Sequence, residues 1–159
     1  MMDTTSTRWL DPEEQQAWRS YVRAVRLVDE VLRRGLEEHE LSHPEYEILV
    51  RLSEAHGRAL RMSELADEVV NSRSRLTHTV NRLERAGWVT RRPCPQDGRG
   101  VECLLTDAGY TALEAAAHTH VRGVRQVLVD PLTRAEFLAL GASLTKVANR
   151  IDPAGRCTV

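Results

Sequence analysis

The chain has 159 residues, of which 42% are hydrophobic and 28% are charged, a composition typical of one compact domain with at most a small extension. Neither a run of about 18 apolar residues nor a secretory signal is visible, so we expect a soluble cytoplasmic protein without a membrane partner. The three cysteines, Cys94, Cys103 and Cys157, are an odd set without metal-ligand spacing, which argues against a disulfide framework or a zinc site and predicts reduced thiols and no cofactor.

The net charge of −1 conceals an uneven distribution of charge along the chain. Residues 71–100 carry seven arginines against two acids, Glu84 and Asp97, so this segment has a charge of +5 and the remainder has −6. A basic segment in an otherwise acidic chain is expected where one face binds phosphates, the alternative being a solvated arginine-rich face. The arginines are Arg73, Arg75, Arg82, Arg85, Arg91, Arg92 and Arg99.

The N-terminal part predicts a long amphipathic helix. Asp11 is a good cap, Pro12 fits the first turn, and Glu14 has capping-box spacing. Apolar residues then recur every three or four positions as far as about His39, which places them on one face that needs a partner. These residues are Trp18, Tyr21, Val25, Val28, Leu32 and Leu36.

A shorter helix and two very short ones follow. Ser42 begins a helix that ends before Gly57, and residues 59–62 are a strand candidate. Ser63 is predicted to cap a third helix from Glu64 to about Val70. Ser72 caps a fourth helix, in which Leu76, Val80 and Leu83 point inward.

Two strands and two long helices complete the chain. Gly87 ends the fourth helix, and residues 88–92 and 101–105 are predicted to form a β-hairpin. Pro93 has no N–H to donate to a neighbouring strand, so the first strand should end there and leave residues 95–100 as a projecting loop. Thr106 starts a fifth helix that runs to Asp130. Thr133 and Glu136 form the capping box of a sixth helix. The predicted seam of the fifth helix is Tyr110, Leu113, Ala117, Val121, Val124 and Leu128, and that of the sixth is Phe137, Leu140, Leu144, Val147 and Ile151.

The fourth helix has the form of a helix that reads a DNA major groove, because it combines an apolar inner face with an outer face of hydrogen-bonding side chains. At 100° per residue, the outer face contains Ser74, His78, Asn81 and Arg85. Its N-terminus favours a phosphate near Ser72 and Arg73. The flanking candidates are Arg75, Thr77 and Arg82, and an ordinary amphipathic surface helix is the alternative.

The hairpin tip contains Asp97 two residues before Arg99. A carboxylate at this spacing can hold a guanidinium in a fixed orientation, and an oriented arginine suits the narrow minor groove. The alternative is a surface ion pair in a turn.

Several short motifs together span the fourth helix, the hairpin and the start of the fifth helix. They are Ser72-Arg73-Ser74 through Thr77, Asn81-Arg82-Leu83-Glu84, Gly87, Arg91-Arg92, Asp97-Gly98-Arg99 and Leu105-Thr106-Asp107-Ala108-Gly109. With these motifs the chain resembles the MarR family of regulators over nearly its whole length. The resemblance implies a mainly α fold with a small β-hairpin wing, that is, a winged helix-turn-helix, in one domain over 1–159. Residues 11–40 and 107–151 would form interlocked dimerisation helices, and 42–106 the DNA-binding lobe.

The same resemblance implies a repressor that binds a pseudo-palindromic operator in double-stranded DNA as a homodimer, with a small aromatic or phenolic effector that releases it. The chain departs from the family at Val70, where glycine is common, at His78, where arginine is common, and at Gly98, where a second basic residue is common. The predicted DNA-binding residues are Ser72, Arg73, Ser74, Arg75, Thr77, His78, Asn81, Arg82, Asp97 and Arg99.

Other functional classes fit the sequence less well. An enzyme would need a nucleophile with a placed base, a ligand triad or a phosphate loop, and no such set is found. A winged-helix module that binds protein is the main alternative, against which Arg99 and the basic segment argue. Histidines 118 and 120 lie two apart and leave a helix on different faces, which disfavours a regulatory metal.

Overall fold

The computed structural model of the chain describes residues 7–68, 73–94 and 100–152. Helices dominate these ranges, and three short strands form a small sheet, which confirms the mainly α fold with a β-hairpin. Helix α5 continues into a π-helical turn, Arg125–Val129. The elements are α1 (Pro12–Glu37), α2 (His43–Glu54), β1 (Ala59–Arg61), α3 (Met62–Glu68), α4 (Arg73–Arg85), β2 (Val89–Pro93), β3 (Val101–Leu105), α5 (Asp107–Val124) and α6 (Arg134–Ile151).

Capping boxes fix the starts of the long helices. The Asp11 carboxylate accepts from the backbone N–H of Glu14 at 2.8 Å, and the Glu14 carboxylate accepts from that of Asp11 at 3.0 Å. Thr133 and Glu136 make the same reciprocal contacts at α6, as predicted. Each box satisfies backbone donors that the first helical turn leaves without partners.

Two helix boundaries differ from the prediction. Helix α3 begins at Met62, so Ser63 lies inside its first turn and is not its cap. Glu64 causes this shift, because its carboxylate accepts from the backbone N–H of Arg61 at 2.9 Å and closes the helix start there. Helix α1 ends at Glu37, where the chain turns through Glu40 at a φ of +58°. Val70, one of the departures from the family, and the predicted Ser72 cap lie outside the described residues.

The three strands form one antiparallel sheet in the order β1-β3-β2. The predicted hairpin is present, with Arg91 opposite Cys103 and Pro93 opposite Val101 at the end of β2. Strand β1 pairs with the other edge of β3, where Leu60 faces Cys103. The sequence indicated this strand but not its partner, since three residues carry too little pattern to choose one.

The core lies in the lobe formed by α2–α4, the sheet and the first half of α5, and the end of α1 adds Leu36 to it. The predicted inner face of α4, Leu76, Val80 and Leu83, is at most 2% exposed. Helix α5 turns Leu113 and Ala116 toward this core, whereas Ala117 of the predicted seam is half-buried. The first half of α5 packs against the lobe, whereas the second half extends beyond it.

Helices α1 and α6 and the far half of α5 carry large apolar side chains that are exposed within one chain. Val121 is 55% exposed and Ile151 is 78% exposed, although both belong to predicted apolar seams. None of the described helices is long and apolar enough to cross a bilayer. Trp9 and Leu10, which precede α1, are exposed as well. The other exposed members are Trp18, Tyr21, Val25, Leu27, Val31, Leu138, Leu144 and Val147.

The start of α5 is packed against the backbone that leads into β2. The Thr106 hydroxyl donates to the carbonyl of Gly87 at 2.8 Å, and a Cβ on Gly109 would lie 2.1 Å from the carbonyl oxygen of Trp88. Glycine is therefore required at position 109 by close approach rather than by backbone conformation.

We predict that Gly109→Ala destabilises the protein by about 1 to 3 kcal/mol, because the methyl group overlaps backbone that cannot move aside. Helix propensity alone predicts the opposite sign, a gain of up to about 1 kcal/mol. Urea unfolding at one fixed protein concentration measures the difference. The control is Ala108→Gly, the reverse exchange at the neighbouring exposed position, which should cost no more than about 1 kcal/mol. A stabilised Gly109→Ala variant would contradict the predicted clash.

Candidate nucleic-acid interface

Helix α4 presents two chemically different faces. Leu76, Val80 and Leu83 are buried in the lobe, and this burial fixes the rotation of the helix about its axis. The predicted reading residues Ser74, Arg75, Thr77 and His78 are exposed on the other side. Arg73 is the first residue of the helix, and its side chain lies outside the described part of the structure, as do Ser72, Asp97 and Arg99.

A shallow groove of about 370 Å³ runs along this exposed face. Pro44, in the first turn of α2, forms its far side, and Ser74, Arg75 and His78 form its near side. The groove places hydroxyl, guanidinium and imidazole groups on one surface, which are side chains suited to base edges and phosphates.

Arg82 was predicted to face DNA, but it is engaged by a buried carboxylate. Its Nε lies 3.0 Å from Oε1 of Glu45, a residue of α2 that is 3% exposed. The other carboxylate oxygen of Glu45 accepts from the backbone N–H and the hydroxyl of Ser42, at 2.8 and 2.6 Å. One carboxylate therefore caps α2 and contacts α4.

Asn81 was also predicted to point outward, whereas it is half-buried and accepts a hydrogen bond from the Arg91 guanidinium at 2.7 Å. Arg91, on β2, also donates to the Glu84 carboxylate through Nη2 at 2.5 Å and through Nε at 3.2 Å. These hydrogen bonds hold the pKa of Glu84 below its usual value and raise that of Arg91. The network fastens the C-terminal half of α4 to the first strand of the wing.

Acids from outside the basic segment contact two of its arginines. Arg92 forms an ion pair with Glu102 across the hairpin, and Arg82 pairs with Glu45. Both acids lie outside residues 71–100, so the charge of +5 counted along the sequence overstates the positive charge of this surface. The spacing of Ser42 and Glu45 fits a capping box, but no pattern in the sequence indicates Arg82 as the second partner of Glu45.

Two cysteines and two histidines of the described residues were also considered as functional groups. Cys94 and Cys103 are buried, and burial raises the pKa of the Cys103 thiol to about 12 despite the nearby Arg91. His43 meets His120 edge to face with ring centroids 5.9 Å apart, and burial lowers the pKa of His120. Over the described ranges, no three histidine, cysteine, aspartate or glutamate side chains are grouped as a metal site.

Comparison with known proteins agrees with this architecture. The MarR family model matches residues 41–101, from the end of the α1–α2 turn into β3. Among curated proteins, the HTH-type transcriptional regulator PecS of Dickeya dadantii is 30% identical over 143 residues, which cover 89% of this chain and 86% of that protein. The chain belongs to the MarR family.

Solved structures of MarR-family regulators superpose on the chain over almost its full length. Sco3205 of Streptomyces coelicolor, determined in complex with DNA, is 43% identical with a TM-score of 0.88, and 95% of each chain is covered. AbsC of the same organism is 38% identical with a TM-score of 0.86, covering 91% of this chain and 98% of AbsC. This MarR-family chain is thus a DNA-binding transcriptional regulator with a winged helix-turn-helix fold.

The Glu84–Arg91 contact should give this regulator a pH-dependent contribution to stability. Because the folded pKa of Glu84 lies below its ordinary value of 4.5, the contribution is complete above that pH and is lost as the pH falls through the folded pKa. The free energy of unfolding of wild type and of Glu84→Gln is measured in urea from about pH 7 to about pH 3. At about pH 7 the wild type should be more stable by at most about 1 kcal/mol, since both side chains are partly exposed. This difference should disappear as the pH falls to about 3.

The control for this prediction is Glu114→Gln, which removes an exposed carboxylate from α5. It should leave the free energy of unfolding nearly unchanged at every pH. A difference between wild type and Glu84→Gln that stays constant down to about pH 3 would contradict the assigned contact.

Proposed function

We propose that the chain binds double-stranded DNA sequence-specifically as a homodimer and acts as a repressor. In this proposal residues 42–106 form the DNA-binding lobe, while 11–40 and 107–151 form the dimerisation helices within a single domain over 1–159. The observation that carries it is the division of α4 into an inner face buried at Leu76, Val80 and Leu83 and an exposed face with Ser74, Arg75 and His78. A helix fixed in this way can enter a major groove with its polar side chains outward.

The proposed DNA contacts divide into two groups. The N-terminal half of α4 faces the major groove, and the hairpin tip carries Asp97 and Arg99 toward the adjacent minor groove. The DNA complex of Sco3205, 43% identical, supports this use of the lobe. The first group contains Ser72, Arg73, Ser74, Arg75, Thr77 and His78. Asn81 and Arg82, farther along α4, are the remaining candidate residues.

Dimerisation is supported by the apolar surface outside the lobe. Helix α6 is exposed along almost its whole length, with Val147 at 55% and Leu144 at 42% exposure, and α1 exposes Trp18 and Tyr21. Large apolar side chains exposed on several helices of one chain indicate an interface. A two-fold symmetric dimer presents two copies of α4 and therefore reads a pseudo-palindromic operator.

Repression and release are the remaining parts of the proposal. A dimer that covers an operator blocks a promoter by occupancy. A cleft of about 360 Å³ between α1 and α5, lined by residues that include Leu32, Thr119 and His120, has a volume suited to a small aromatic or phenolic effector. Occupancy of this cleft would alter how α1 and α5 pack and so the orientation of the lobes.

Selection of duplexes from a random-sequence pool tests the DNA-binding proposal. Wild type should enrich a pseudo-palindromic sequence, and binding should weaken steeply with salt. Arg99→Ala should lower the affinity by roughly 1 to 3 kcal/mol in a fluorescence-anisotropy titration, because one minor-groove contact is lost. The matched control is Arg134→Ala, which removes an exposed arginine from α6.

Failure of wild type to enrich any sequence would overturn sequence-specific binding and favour a protein-binding module. Titration of the selected complex with simple phenols tests the effector, and a reporter placed behind the selected sequence tests repression. A complex that persists at every phenol concentration would contradict release by an effector. Lower reporter expression after deletion of the regulator would contradict repression.

The dimer is tested by a charge placed in the α6 seam. Val147→Glu should shift the protein from dimer to monomer in sedimentation equilibrium, because a carboxylate would be buried without a partner. Asn149 lies on the opposite side of the helix, about 160° from Val147, so Asn149→Glu is the control and should leave the dimer intact. A wild-type protein that sediments as a monomer at every concentration would refute the proposal outright.

A further inference from the structure

Among the described residues, Glu45 is the acidic side chain that is buried, with 3% of its surface exposed. It uses its two oxygens on different elements. Oε2 accepts from the N–H and hydroxyl of Ser42 and closes the start of α2, whereas Oε1 lies 3.0 Å from Nε of Arg82 on α4. A buried carboxylate is tolerated only when such partners compensate it, so removal of either partner leaves a costly charge.

This pair also lies beside the groove that the reading face borders. Pro44 precedes Glu45 in the chain and lines the groove together with Arg75 and His78. The Glu45–Arg82 contact therefore sets the distance between the first turn of α2 and the exposed face of α4. Its loss would let α4 shift relative to α2 while the apolar stripe stays buried.

We propose that Arg82 is a positioning residue, which acts on DNA recognition through Glu45 and makes no phosphate contact of its own. The proposal rests on the DNA-binding function proposed above and assigns a different role to one member of the candidate set. The Arg82 side chain is 54% exposed, yet its Nε is already committed to a buried acid that compensates its charge. An arginine in this state contributes little to the counterion release that phosphate contacts produce.

Three variants test the proposal on a duplex selected by the wild-type protein. Glu45→Gln keeps an acceptor at the capping position, which glutamine can fill, and removes the charge that holds Arg82. Arg82→Gln removes the other partner, and the third variant combines both changes. We expect each single variant to bind roughly tenfold more weakly and the double variant to bind no worse than the weaker single one, since coupled residues are not additive.

The salt dependence of binding separates positioning from direct contact. If Arg82 positions the helix, the slope of log K against log salt is the same for Arg82→Gln and wild type. If Arg82 contacts a phosphate, the slope falls in magnitude by about 0.9 and Glu45→Gln leaves the affinity unchanged or tighter, because the arginine is released. Either of these two results overturns the proposal.

A purely structural role of Arg82 would lower the unfolding temperature but leave the DNA affinity unchanged at temperatures where the protein is folded. Circular dichroism melting curves therefore accompany each titration. A lowered unfolding temperature with unchanged DNA affinity also overturns the proposal. Glu54→Gln, the same change at an exposed position of α2, is the control and should match wild type in both measurements. If Glu45→Gln does not fold, the salt slope of Arg82→Gln decides alone. Absence of any duplex selected by wild type overturns the proposed function itself, which distinguishes the two failures.

Discussion

The burial of one apolar stripe on α4 determines the orientation of every other group at the proposed interface. Leu76, Val80 and Leu83 are almost fully enclosed by the lobe, and full burial of such side chains stabilises a protein by roughly 1.5 to 3 kcal/mol each. Rotation of the helix by even one residue would expose part of this stripe. The outward direction of Ser74, Arg75 and His78 therefore follows from the packing of the core.

Polar contacts then fix what the apolar stripe leaves free, which is the position of α4 along its neighbours. Glu45 contacts it from α2, and Arg91 contacts Asn81 and Glu84 from β2. The helix is thus attached on one side to the first turn of α2 and on the other to the wing. The proposed contacts of the helix and the wing with neighbouring grooves require such attachments, because both elements must reach the DNA together.

The sequence was a good guide wherever a local rule determines the structure. Capping spacings located the starts of α1, α2 and α6, and the 3.6-residue period identified the inner face of α4. It was a weaker guide to long-range pairing. The partner of β1, the side of α5 that meets the core at Ala116, and the carboxylates that contact Arg82 and Arg92 depend on residues distant in the chain, about which helical and strand periods carry no information.

The candidate site shows the same division. Ser74, Arg75, Thr77 and His78 were assigned by their direction alone, and they are exposed as expected. Asn81 and Arg82 satisfy the same helical geometry, but their side chains contact other parts of the lobe. Arg91 on β2 donates to Asn81, and Glu45 on α2 pairs with Arg82. A helical wheel describes which side a residue faces and not what else occupies that side.

The rigid seat of α5 on the lobe has a mechanical consequence. Gly109 lies against the Trp88 carbonyl and Thr106 bonds the same segment, so the start of α5 cannot tilt without moving the lobe. An 18-residue helix is roughly 27 Å long. A tilt of about 5° at one end of such a rod displaces the other end by roughly 2 Å, most of one base-pair step along a DNA duplex. Helix α5 is in this sense a lever arm, and in the proposed dimer a small adjustment near Val121 becomes a change of register between the two halves of the operator.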